Sequence, residues 1–295
     1  MSSIAKESEL DVGLGVYGSH VTYLKLSPSK ASTWVDCPRR YFHTYVERRR
    51  TGASWAHFSF GLSVHAALRE WFERPPGERT PEVVSAVVDA TWLDSGYRDR
   101  EQSRIWRSRA ADMVGAYVVQ LDPEFQPFST ERTLAFKTDR FIMEGRIDRI
   151  DRVVGAEDQF TVVDYKTGKL VPTEADTRGS QALAMYALML KRALGKPCLD
   201  VSLHHLPSGQ QVTWKHSNES LQRHLDRVSQ IASDIVIAQD TWDATDPTDE
   251  TIRGELFPAR TSAVCGFCDH WDVCADGRRF AERKESWDGL AADLD

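Results

Sequence analysis

The stretch that most restricts the fold is EGRIDRIDRVVGAEDQFTVVDYKTGK, residues 144–169. Residues 141–151 alternate apolar and charged side chains, the period of a half-exposed strand, and residues 160–165 form a short β-branched run. Gly155-Ala156-Glu157 lies midway between Asp148 and Asp164. A symmetric hairpin closing there sets the two aspartates opposite each other, with Cβ atoms about 5 Å apart. Facing carboxylates repel unless a cation sits between them. The period of two then puts Lys166 on the same face as Asp164.

Two acids and a lysine on one sheet face suit metal-assisted phosphodiester hydrolysis. The carboxylates hold a hard divalent cation, and the lysine sits beside the attacking water or the phosphate. The competing reading is a surface hairpin whose charges are solvated. Against it, the apolar setting of VVDYKTG obliges charges at the end of a buried-type strand to find a partner or an ion.

At 295 residues the chain can hold one large domain or a core with additions. No apolar run approaches the ~20 residues of a membrane span, and no N-terminal stretch has the order of a signal peptide. A cytoplasmic protein without a membrane partner is the expectation. The net charge of −7 excludes nonspecific coating of nucleic acid, so any such contact needs local basic surface or bound metal. Arginine clusters at 39–50 and 98–109 supply candidate surface, though each also reads as a solvated helix face.

Residues 1–23 read as a loose polar arm. Ser27 is placed to cap a helix with Pro28 in its first turn. Cys37-Pro38 interrupts that helix, because the residue before proline is pushed away from helical angles. Residues 61–72 predict a helix with His65 on its apolar face, where a histidine is ordinarily a satisfied core residue. Two more helices form an insert within 75–125, and a strand over 129–137 precedes the aspartate hairpin. A helix over 178–194, a strand pair over 199–206 and 210–215, and a long helix capped at Ser217 or Asn218 complete a core spanning 24–240. Residues 241–258 are acidic and poor in large aliphatics, and read as a linker.

The segment 259–295 carries Cys265, Cys268 and Cys274, a C-x2-C-x5-C spacing that points to ligation. Cys37 can complete the set, because its proline break presents the thiol from a turn; Cys198, at a strand start, reads as a buried small hydrophobe. Four thiolates suit an iron–sulfur cluster or a structural Zn2+, with His43 and His270 as reserve ligands for zinc.

These pieces in this order resemble the RecB-like branch of the PD-(D/E)XK nuclease superfamily, which includes the AddB nuclease domain and the CRISPR adaptation nucleases that carry an iron–sulfur cluster. The likeness rests on SPSKASTWVDCPRRYFHTYV, GLSVH, GRIDRID, VVDYKTGK and FPARTSAVCGFCDHWDVC. It implies an α/β fold, a restriction-endonuclease-like mixed central sheet flanked by helices, with a helical insert and a C-terminal cluster-bearing cap. It implies metal ligation by His65, Asp148, Asp164 and the main-chain carbonyl of Tyr165, and a catalytic role for Lys166. It makes Cys37, Cys265, Cys268 and Cys274 ligands of a [4Fe–4S] cluster.

The branch usually places a glutamine four residues before the tyrosine of the next helix. Here that tyrosine is Tyr186, position 182 is Ala182, and the nearest glutamine is Gln181. One residue is ~100° of helix rotation, so Gln181 reaches the site only if the helix begins near it. The reading is therefore a Mg2+- or Mn2+-dependent deoxyribonuclease, an exonuclease on single-stranded or frayed-end DNA. It implies a helicase or repair and recombination partner. The alternatives are a DNA-binding subunit without turnover and a structure-specific endonuclease with structural zinc.

Overall fold

The computed structural model describes residues 23–290, apart from residues 53, 123 and 247 and the side chain of residue 157. The expected N-terminal arm therefore lies, but for Tyr23, outside the described residues. Strand β1 (Leu24–Leu26) leads into α1 (Pro28–Asp36). The Ser27 side chain accepts the Lys30 N–H, as the sequence predicts. Cys37 is extended at φ −162° and separates α1 from α2 (Pro38–Tyr41), the break expected before a proline. A π-helical turn over Phe42–Val46 follows.

Three helices come next: α3 (Ala56–Glu73), α4 (Val83–Thr91) and α5 (Arg100–Val118). The sheet continues with β2 (Ser129–Lys137), β3 (Phe141–Val153) and β4 (Ala156–Lys166). The predicted helix over 178–194 is two helices, α6 (Glu174–Gly179) and α7 (Gln181–Leu194). Ser180 divides them, because its extended backbone and side chain cap α7 through the Leu183 N–H. Strands β5 (Asp200–His205) and β6 (Gln210–Lys215) turn at Gly209, whose φ of +69° suits glycine. They precede α8 (Asn218–Asp243).

The segment 241–258, expected as a linker, carries the end of α8 and a further helix, α9 (Glu250–Leu256). Asp249 caps α9, and Phe257 is completely buried against Trp34, Phe42 and Trp242. Acidic composition hid one aromatic anchor that ties the segment to the core. The last helix is α10 (Ala275–Phe280). No helix among the described residues is long and apolar enough to cross a membrane.

The sheet is mixed, in the order β1-β3-β4-β5-β6, with β2 also pairing β3. The β1·β3 and β4·β5 pairs are parallel; β2·β3, β3·β4 and β5·β6 are antiparallel. One apolar layer joins the sheet to α1, α7 and α8 through residues such as Ile150, Val162 and Leu183. The other joins it to α3, α4 and α5 through Val163 and Tyr165. Alternate residues of β4 thus enter opposite layers, as period-two geometry requires.

Candidate active site

The hairpin register bears out the counting from sequence by an indirect route. Its turn is at Val154-Gly155, with Gly155 at φ +77°, and Val153 pairs Ala156. Continued unbroken, that register would face Asp148 with Thr161. The register shifts between Arg152 and Val153, so that Arg152 pairs Phe160 and Arg149 pairs Val163. Asp148 and Asp164 are next in line, and there the ladder stops. β4 leaves β3 but continues beside β5 to Lys166↔His205. The Tyr165 N–H donates to Asp148 Oδ2 at 2.9 Å. The strands therefore part at the two aspartates.

Helix α3 brings His65 to this fork, with Nδ1 3.3 Å from Asp148 Oδ2. A third acid arrives from β2. Thr130 pairs Arg149 and Arg132 pairs Ile147, so Glu131 between them lies opposite Asp148 on its other side. Glu131 holds φ +47°, a left-handed conformation that costs a non-glycine residue about 1–3 kcal/mol and collects at functional sites. One ligand atom each from His65, Glu131 and Asp148 lies within 4.8 Å of the others. Glu131 also forms an ion pair with Arg146. The sequence reading missed Glu131, yet its own method reaches it. A symmetric β2–β3 hairpin centred between Asp139 and Arg140 sets Glu131 against Asp148.

Asp164 and Lys166 complete the cluster. The ammonium lies 2.6 Å from Asp164 Oδ2. Burial raises the Asp164 carboxyl above its ordinary range, helped by Asp148 and opposed by Lys166. Burial alone would lower Lys166, but Asp164 outweighs it and holds the amine protonated. For His65 burial again acts downward, and Asp148, Asp164 and Glu131 together turn the net shift upward. Burial raises Glu131, against Arg146. In the cluster the groups of His65, Glu131 and Asp164 are all shifted upward.

Behind it lies Arg149, almost fully buried. It donates to Asp151 Oδ2 at 2.8 and 3.1 Å, to Tyr117 Oη at 2.8 Å and to Tyr165 Oη at 3.1 Å. On the far side, α7 sets Tyr186 close enough for Asp164, Asp148 and Glu131 to add to the upward shift its burial causes. Gly145 permits that approach, since a Cβ there would come within 2.9 Å of the Tyr186 ring. Gln181 is not part of this group. It starts α7, as its candidacy required, but its amide donates to the His224 carbonyl at 3.2 Å and lies 3.3 Å from His224 Nδ1 on α8.

Residues 25–275 match the PD-(D/E)XK nuclease superfamily. The chain belongs to that superfamily. A solved structure from Eubacterium rectale, described as a candidate exonuclease, matches with a TM-score of 0.51 at 10% identity. The match covers 89% of this chain and 99% of that one, and the likeness bears on the fold. No curated protein sequence matches the chain. PD-(D/E)XK nucleases generally use divalent metals such as Mg2+. The residues here fit one: two carboxylates and an imidazole converge within 4.8 Å, and buried Asp164 Oδ2, though beside the lysine, has no aligned hydrogen-bond donor.

The cysteines gather elsewhere. Cys37, Cys265, Cys268 and Cys274 line one cavity together with His43 and His270. Backbone N–H groups of Arg260, Ser262 and Gly277 donate to the sulfurs of Cys37, Cys265 and Cys274 at 3.5, 3.3 and 3.3 Å. The C-terminal segment is tied to the core there: the Arg39 side chain donates to the Phe257 carbonyl at 2.8 Å, and Asp269 accepts the Trp55 indole N–H at 2.5 Å. Cys198 is fully buried, its thiol pushed up to about 12 by burial and then Asp200.

Proposed function

We propose that this PD-(D/E)XK chain is a Mg2+- or Mn2+-dependent deoxyribonuclease of the RecB-like branch, acting as an exonuclease on single-stranded or frayed-end DNA. The observation that carries the reading is the convergence of His65, Glu131 and Asp148 beside the Asp164–Lys166 pair. When bound, the divalent ion lowers the pKa of coordinated water and offsets charge on the phosphorane. His65, Glu131, Asp148 and Asp164 would hold it, joined by the carbonyl of Tyr165. The Tyr165 N–H on Asp148 keeps that carboxylate aimed along the strand. Lys166, held as an ammonium, orients the attacking water and faces the phosphate as a cation rather than as a base. The single-strand preference and a place beside a helicase in repair or recombination rest on the resemblance to the RecB-like branch.

The four cysteines are proposed to hold a structural [4Fe–4S] cluster. The four cysteines line one cavity, and the three N–H···S contacts suit thiolate ligands. The function is tested with end-labelled linear and circular single-stranded DNA in Mg2+ and in Mn2+. Loss of the linear strand with the circle spared supports an exonuclease. Equal attack on both indicates an endonuclease, and no attack on either refutes the reading.

A further inference from the structure

A cavity of about 820 Å³ opens beside the acidic cluster, with His65 in its wall. Its other walls come from α3, from α5 with Trp106 and Arg109, and from Thr167-Gly168-Lys169 just beyond Lys166. Phe58 and Leu62 on α3 line it, yet are 60% and 61% exposed. Seven residues are 700° of helix, so Phe58 and His65 share one face, with Leu62 about 40° away. At about 1.5 Å per residue, Phe58 sits ~10 Å and Leu62 ~4.5 Å along the axis from His65. The Phe58 ring is braced by His57, with centroids 4.3 Å apart. The opposite wall is fixed too: His205 Nε2–H donates to the Gly168 carbonyl at 2.7 Å, and Ser208 to His205 Nδ1 at 2.7 Å.

An exposed aromatic and an exposed leucine on the His65 side of the helix bury no core, and they cost solubility unless something covers them. The cavity's charged lining residues are Arg109 and Lys169, and it meets the acidic cluster at His65. Its size is that of pockets enclosing small organic molecules. We propose that this cavity receives the unstacked bases of the one or two nucleotides next to the scissile phosphate. Phe58 is the stacking platform, Leu62 the wedge that excludes a paired base, and Lys169 a phosphate contact. The proposal rests on the nuclease reading and adds the recognition of base faces, which are absent from a bare backbone.

The test compares a fluorescent single-stranded oligonucleotide with an abasic strand of equal length, titrated with the full chain without added divalent metal. Base–aromatic stacking of about 1–3 kcal/mol corresponds to roughly 5- to 150-fold in affinity. Phe58→Ala is expected to weaken binding of the base-bearing strand about tenfold and of the abasic strand less than about twofold. Phe58→Trp should retain wild-type affinity, and Leu62→Ala should lose several-fold on the base-bearing strand. Unchanged affinity for that strand, parallel loss on both strands, or a wild type that binds both strands equally would overturn the proposal. Cleavage by the wild type in Mn2+, run alongside, separates the two readings. Cleavage without dependence on Phe58 leaves the nuclease standing and removes the base site; dependence on Phe58 without cleavage in any metal does the reverse.

Discussion

Replacing Arg149 by Met removes the buried cation behind the active site while keeping most of its apolar stem. Arg149 is 3% exposed, and its guanidinium spans Asp151, Tyr117 and Tyr165 through four hydrogen bonds. It also lies over the rings of Phe72, Phe125 and Tyr165 at 5.3, 5.3 and 5.7 Å. Arg149→Met strands the Asp151 carboxylate, and breaking one side of a buried pair costs about 3–5 kcal/mol. Against a typical total of about 5–15 kcal/mol, the expected loss of ~4 is a large share. Arg149→Met/Asp151→Leu should recover at least half of it, since no charge is then left alone.

The pH dependence has a definite sign. Burial already raises the Asp151 carboxyl, and Arg149 opposes that shift. In the single variant the opposition is gone and the folded-state value rises further above the unfolded one. Proton binding then favours the folded state. The loss should be smallest at low pH, grow as pH climbs from the ordinary carboxylate range through the raised value, and level off above it. Urea unfolding followed by tryptophan fluorescence at about pH 5 and about pH 7.5 measures it. A loss below about 1 kcal/mol, or one no smaller at the lower pH, would refute the argument. A double variant no more stable than the single would do the same.

His65→Ala should raise the Mn2+ concentration for half-maximal cleavage about tenfold or more while the metal-free Tm stays close to wild type; superimposable titration curves would return His65 to a packing role. Because Asp164, Glu131 and His65 are all shifted upward, metal must displace protons from them, so affinity should fall as pH falls. Calorimetry in two buffers of different ionisation enthalpy reads the release, and identical heats would contradict it. Cys37→Ser should bleach any chromophore and loosen both ends of the chain to protease, with Cys198→Ser changing neither. Ligation between Cys37 and Cys265 closes a loop 228 positions long, for which chain entropy gives at most about 5 kcal/mol. A colourless, metal-free wild type with the same Tm as Cys37→Ser would remove the cluster.

What could be read from the chain divides along physical lines. Strand period, the Ser27 and Ser217 caps and the Cys37-Pro38 break are local, and each is where the residues put it. The meeting of Asp148 and Asp164 was legible by counting, although the turn is centred elsewhere and a register shift between Arg152 and Val153 restores the alignment that counting assumed. Glu131 was in principle equally legible, but an acid in a charged alternating strand looks like a solvent-facing one until its partner strand is known. Gln181 shows the opposite case. The helix starts where it had to, and the side chain is still claimed by His224 from a helix more than 40 residues away in sequence. Residues 241–258 were misread because composition averages over a window and Phe257 is one residue. Arg149 carried no signal at all, since a lone arginine in a GRIDRID pattern is ordinarily exposed.

The central claim is that Asp148, Asp164 and Lys166 form a metal-dependent phosphodiesterase site. It is tested most directly by following an end-labelled single strand with Mn2+ in the wild type, Asp148→Ala, Asp164→Ala and Lys166→Ala. The wild type should degrade the strand in Mn2+ and not in chelator. All three variants should fall to background, with the metal-free Tm of either aspartate variant level or higher because a repelling carboxylate is gone. Near wild-type cleavage by any one of the three, in Mg2+ or Mn2+, would contradict the assignment.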